Sequence, residues 1–176
     1  MGFYVLYNKI GKYDITGFDT WQDAALDYFG FEGKYDPNNA LFDKASENHA
    51  GAITDPNTGD IFYNDIAFEG NYDNLYFKAD HESMHRQNVL SGKFKNVKID
   101  DIVHGKEEWS VYQKNYARQG LYPKSGITTD EIVNNITSYG RQGGIYEFSI
   151  NQRGNGILTK FEKKWWHILY RISRRW

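Results

Sequence analysis

The sequence predicts one compact domain of the α+β class over residues 1–176, built from separate helices and short β-hairpins rather than from alternating β-α units. Capped segments with a helical apolar period recur along the chain, and two short apolar runs flank a tight turn just before the longest of them. A length of 176 residues also suits one ordinary core better than two. Aromatic residues make up 17% of the chain, so the core is built largely from rings, many with a polar tip that needs a partner when buried.

Each element follows from local signals. Residues 3–18, FYVLYNKIGKYDITGF, alternate around a Lys-Ile-Gly turn and read as an opening pair of short strands. Thr20 caps a short helix that places Trp21, Ala24, Ala25, Tyr28 and Phe29 on one face and stops at Gly30. Residues 31–49 are mostly loop around Asp36-Pro37-Asn38-Asn39. Apolar runs on both sides of the turn Asp55–Asp60 mark a β-hairpin. That turn lacks the alternating oxygen ligands and closing glutamate of a calcium loop. A helix follows from Asp73, as cap, to about Leu90, with Gly92 as its stop. A second helix runs from about Lys106 to Arg118 with acids in its first turn, and a third opens on Thr129 or Asp130. Residues 143–156 read as a strand and a Gly-Asn-Gly turn, and residues 157–176 as a basic amphipathic helix.

Charge and composition narrow the function. The net charge of −2 gives no general pull toward nucleic acid or membrane, although residues 151–176 carry a local +6. That segment interleaves its cations with Trp165, Trp166, Tyr170 and Trp176; a docked helix with a solvated basic side is favoured over membrane contact. No cysteine is present, which removes disulfides, thiol nucleophiles and thiolate metal ligands together. No basic head with a following apolar run opens the chain and no apolar stretch reaches 18 residues, so neither a signal peptide nor a membrane span is expected.

The chemistry concentrates in His81-Glu82-Ser83-Met84-His85. In a shuffled chain of this composition the pattern H-E-x-x-H is expected roughly 0.007 times, which makes chance a poor explanation. Residues i and i+4 share one face of a helix, so His81 and His85 can turn ring nitrogens toward one ion. Glu82, rotated by about 100°, is placed to reach a water beside that ion and is the candidate general base.

The motif resembles that of the zincin metallopeptidases, which implies a zincin-like fold with an active-site helix, Zn2+ as the cofactor, His81 and His85 as ligands, and Glu82 as base. After His85 the sequence RQNVLSGKFK lacks the Gly and His of the metzincin pattern, so a glutamate from a later helix, as in the gluzincin group, is the better match. Glu107 and Glu108 both fit. Glu108 shares its face with Val111, Tyr112, Asn115 and Tyr116, whereas Glu107 aligns with Lys114; Glu108 is therefore expected as the third ligand and Glu107 is expected to meet solvent. Tyr112, His104 and Tyr139 are open alternatives for a hydrogen-bond donor to the reaction's oxyanion, and the hairpin before the motif can supply an edge strand for substrate.

Over residues 20–123 the succession of YFGFEGKYDPNNALF, the hairpin, the motif helix and a helix ending QGLYP resembles the metallopeptidase domains at the C-termini of bacterial polymorphic toxins, including Rhs-type proteins. The resemblance implies a peptidase toxin module of a larger exported protein, secreted or delivered into a target cell, acting on a protein or peptide and neutralised by a cognate immunity protein. A nucleic-acid-acting toxin and a non-catalytic binding module with a structural metal are the alternative functions; the lack of a dispersed basic surface argues against nucleic acid as a partner.

Overall fold

The computed structural model describes residues 16–42, 50–95, 97–98, 100–145, 148–150 and 156–158. The expected opening strand pair, apart from its last residues, and the terminal basic segment beyond residue 158 lie outside them. Helices and a small sheet place the described residues in the α+β class. In chain order the elements are α1 (Trp21–Phe29), β1 (Lys34–Tyr35), β2 (Ala52–Thr54), β3 (Ile61–Tyr63), α2 (Asp65–Phe68), α3 (Tyr72–Leu90), α4 (Asp101–Arg118), a 3-10 turn (Gln119–Leu121), α5 (Thr129–Gln142), β4 (Phe148–Ile150) and β5 (Gly156–Leu158).

The expected hairpin forms, with β2 antiparallel to β3 and Ile53 opposite Phe62. Its turn is held by its own side chains: Asp55 Oδ1 accepts from the Asn57 backbone N–H, and Thr58 donates to Asp60. β1, which arises in a stretch read as loop, adds in parallel to the far side of β3 and gives the order β1-β3-β2. Among the described residues β2 is therefore an edge strand, and it lies against α3. Ile157 and Leu158, expected at the start of a terminal helix, instead pair as β5 with β4.

Helix boundaries follow from which side chain reaches the orphan N–H groups. Thr20 caps α1 as expected, and Gly30 ends it at φ 71°. Leu26 is buried on that helix while Tyr28, expected inside, is 45% exposed against Phe29. α3 begins two residues earlier than expected, because the amide oxygen of Asn71 rather than Asp73 accepts from Asn74 N–H, and Asp73 instead accepts from the backbone of Lys124. α4 begins at Asp101 rather than near Lys106, capped by Asp100, so Glu107 and Glu108 stand in its second turn and are not macrodipole acids of the first. α5 opens at Thr129 with a reciprocal capping box between Thr128 and Glu131.

Two cores meet on α3. Ala25, Leu26, Ile61, Tyr63 and Phe68 enclose Leu75 and Ala79 on one side. Phe77 joins Tyr122, Ile132 and Ile136 on the other, beneath Tyr112 and Tyr116. A helix flanked by cores on two faces buries more of its circumference than a surface helix does, which leaves its polar residues only narrow sectors in which to find partners. Rings link the two halves: Tyr72 contacts Phe29 and Tyr76, and Tyr122 takes Tyr76 and Phe77 edge-on.

α4 and α5 touch backbone to backbone. A Cβ built on Gly105 would lie 2.5 Å from the Gly143 nitrogen, and one on Gly143 would lie 2.7 Å from Lys106 N. Glycine inside a helix costs about 1 kcal/mol against alanine, and here the close approach outweighs it. Gly105→Ala is accordingly expected to lower the thermal unfolding midpoint despite its better helix propensity, by an overpacking cost of roughly 1–3 kcal/mol. An unchanged or raised midpoint in calorimetry would contradict this packing.

Candidate metal centre

The motif lies in the middle of α3, and α4 runs antiparallel beside it, as the successive ties Asp80–Arg118, His81–Asn115 and Asn88–Glu107 show. Facing one another across this contact, His81 Nε2 is 3.3 Å from Glu108 Oε2, His85 Nε2 is 3.3 Å from Glu108 Oε1, and the two Nε2 atoms are 3.1 Å apart. The three side chains are only 10–14% exposed.

Hydrogen bonding assigns the protons. Tyr122 OH donates its one hydrogen to Asn115 O at 2.9 Å, so it can only accept from the Asn115 side chain, which presents Nδ2 at 3.3 Å. Asn115 Oδ1 is then the atom that faces His81 Nδ1 at 2.8 Å, and Nδ1 must carry the proton. His85 Nδ1 faces Glu107 Oε1 at 3.3 Å, a carboxylate, and carries a proton for the same reason. Both Nε2 atoms consequently point at Glu108 with lone pairs unless the site is protonated. Two donors held about 2.1 Å from one ion at a tetrahedral angle stand about 3.4 Å apart, so the observed 3.1 and 3.3 Å separations fit a cation between these groups. The arrangement can hold a metal ion.

Electrostatics point the same way. Burial pulls the His85 imidazole down, but the charge of Glu108, hydrogen bonds to Glu107 and Glu108 and the charge of Glu82 outweigh it and raise its pKa to about 10. Burial likewise raises Glu108, yet the two imidazoles hold it well below the usual carboxylate range. In the ion-free molecule a proton thus occupies the place that a cation would take.

Glu107 does not meet solvent as expected. It is buried, and besides His85 it accepts from Lys93 Nζ at 2.6 Å and from Asn88 Nδ2. The periodicity of α4 alone does not show this, because the groups that cover Glu107 come from elsewhere: Asn88 near the end of α3 and Lys93 in the turn that follows. Burial works against its ionisation, but these hydrogen bonds bring its pKa down to about 2.

Glu82 is buried beside the cluster and is not among its three converging groups. Thr54, on β2, donates to Glu82 Oε2 at 2.7 Å and so fixes the carboxylate against the edge strand. The three candidate donors from the sequence lie together: Tyr112 packs on His81 with centroids 4.7 Å apart, Tyr139 stacks on Tyr112, and His104 meets Tyr139 edge-on. All three line the same cavity of about 740 Å³ as His81, Glu82, His85 and Glu108. Thr54, Asn115, Tyr122, Asn88 and Lys93 are partners that sequence reasoning gave no role, although Asn115 was visible seven residues after Glu108 on the same helical face. No protein-family model, no curated protein and no solved structure matches the chain.

Two measurements follow. In competitive chelator titration Glu108→Ala is expected to weaken metal affinity the most, and Glu107→Ala to weaken it about tenfold or more by releasing the His85 ring; wild-type affinity in Glu107→Ala would remove its supporting role. Because the ion must displace the proton held by His85 below pH 10, apparent affinity should keep rising close to tenfold per pH unit from pH 7 to 9. A plateau above pH 7.5 would show that His85 titrates near its ordinary value.

Proposed function

We propose that the chain is a zincin-like, zinc-dependent peptidase in which His81, His85 and Glu108 hold the ion and Glu82 is the general base. The observation that carries this reading is the convergence of two Nδ1-protonated imidazoles and one carboxylate on a single point, with a second buried carboxylate alongside. Two imidazoles and a carboxylate leave a fourth position open, as in catalytic rather than closed structural sites. When bound, zinc there supplies Lewis acidity toward a carbonyl and an acidified water.

The residues of the chain divide the remaining work. Glu82 takes a proton from the attacking water and returns it to the leaving amine, with Thr54 holding its Oε2 in place. Asn115 and Glu107 keep the two imidazoles in the ligating tautomer. The stacked tyrosines Tyr112 and Tyr139 line the same cavity as β2, where a phenol can meet developing negative charge. The substrate is an extended peptide that adds antiparallel to β2, whose outer edge carries no strand among the described residues and lines the cavity. Action as the toxin module of a larger exported bacterial protein, countered by an immunity protein, rests on the sequence resemblance, and its direct check is loss of viability on expression of the isolated chain.

Purified protein is expected to hold one zinc per chain. Glu82→Gln should keep that zinc and lose hydrolysis at least a hundredfold, since the amide preserves size but cannot take the proton. Elemental analysis paired with peptide cleavage tests both halves. A fully active Glu82→Gln protein would end the peptidase reading, and zinc retained by the His81→Ala, His85→Ala double variant would end the site.

A further inference from the structure

The cavity is electrically lopsided. Glu82, Asp100, Asp101, Glu107 and Glu108 line it, and against these acids Lys78 is the only lysine or arginine among the described lining residues. Lys78 lies on α3 one turn before Glu82 and is held in place rather than left to wander. Its Nζ donates to Ile66 O at 3.0 Å and Asn74 Oδ1 at 3.1 Å, which engages two of its three N–H groups. Its stem runs against Gly51, where an added Cβ would lie 2.8 Å from Lys78 Cε and 2.9 Å from Ala67 N. The glycine therefore keeps open the channel that the lysine stem occupies at the start of β2.

β2 also fixes which end of a peptide arrives there. The strand runs from the Gly51 end, beside Lys78, to Thr54, which holds Glu82. A peptide paired antiparallel to it enters past Thr54 and leaves past Gly51, so its C-terminal part lies toward Lys78. The Lys78 ammonium is drawn back to Asn74, which precedes His81 and His85 by seven and eleven residues, about 10–16 Å along the helix axis, or roughly three to five residues of extended chain. No second lysine or arginine among the described lining residues offers an anionic group a full positive charge elsewhere along this wall.

We infer that Lys78 binds a carboxylate of the substrate on the C-terminal side of the scissile bond, so that the enzyme selects peptides that end, or carry an acidic side chain, roughly three to five residues beyond the cut. The inference rests on the peptidase reading and on antiparallel addition to β2. Burial lowers the Lys78 pKa to about 8, against the opposing charge of Glu69, which leaves the ammonium mostly charged at neutral pH.

Three hydroxamate-capped tetrapeptides test it on the zinc-loaded protein: Leu-Ala-Ala-Ala with a free C-terminal carboxylate, Leu-Ala-Ala-Ala amide, and Leu-Ala-Ala-Asp amide. One or both carboxylate probes are expected to bind at least tenfold more tightly than Leu-Ala-Ala-Ala amide, and which of them does so tells a chain terminus from an acidic side chain. In Lys78→Met the preference should vanish, while Lys78→Arg should retain part of it. Equal binding of all three probes by the unaltered protein, which needs no variant to fold, overturns the Lys78 site and leaves the metal reading standing. A preference that survives in Lys78→Met overturns it as well. Failure of every probe to bind removes both readings together.

Discussion

Everything at the centre of this molecule depends on two hydrogen bonds that point away from it. Asn115 accepts from His81 Nδ1 and Glu107 from His85 Nδ1, and only because both bonds are made do both Nε2 atoms face one carboxylate across a buried gap. Without those acceptors each imidazole could present either nitrogen. No single point would then gather both Nε2 atoms and the Glu108 carboxylate, and the cluster would reduce to an ordinary ionic tie between helices.

These acceptors are themselves anchored in the hydrophobic structure. Asn115 is fully buried and oriented by Tyr122, which belongs to the core that α3, α4 and α5 share. Glu107 is held by Asn88 and Lys93, at and beyond the end of α3. On the sheet side Thr54 ties Glu82 to β2, whose neighbour β3 enters the other core. Packing on both flanks of α3 is thus converted, through single polar contacts, into the orientation of three side chains.

Local signals in the sequence carried the fold a long way where they were self-contained. Thr20 and Gly30 bracket α1, the Asp55–Asp60 turn joins β2 to β3, and the i, i+4 spacing places His81 and His85 on one face. Signals failed where the deciding partner was remote. β1 forms because β3 offers it an edge, and α4 continues through Gly105 because α5 needs that close approach. The position of Glu108 followed from helical periodicity, whereas the burial of Glu107 depends on Asn88 and Lys93, contributed by a different helix and the turn after it. Periodicity tells which face of a helix is turned inward, and it says nothing of what another element brings to the neighbouring face.

The antiparallel contact of α3 and α4 has a topological consequence. A cation held jointly by His85 and Glu108 would close the chain into a ring over residues 85–108, a cross-link in a protein that has no cysteine with which to make one. Clips of this kind stabilise by restricting the unfolded ensemble for as long as they persist there, in loop-closure terms about 3 kcal/mol for a ring of this size. Between Lys93, which holds Glu107, and Asp100, which caps α4, the connection, where Val97 is 44% exposed, would then lie inside a closed loop. It could be lengthened or cut without parting the groups on either side, much as a clasp keeps a necklace closed when the slack beside it is changed.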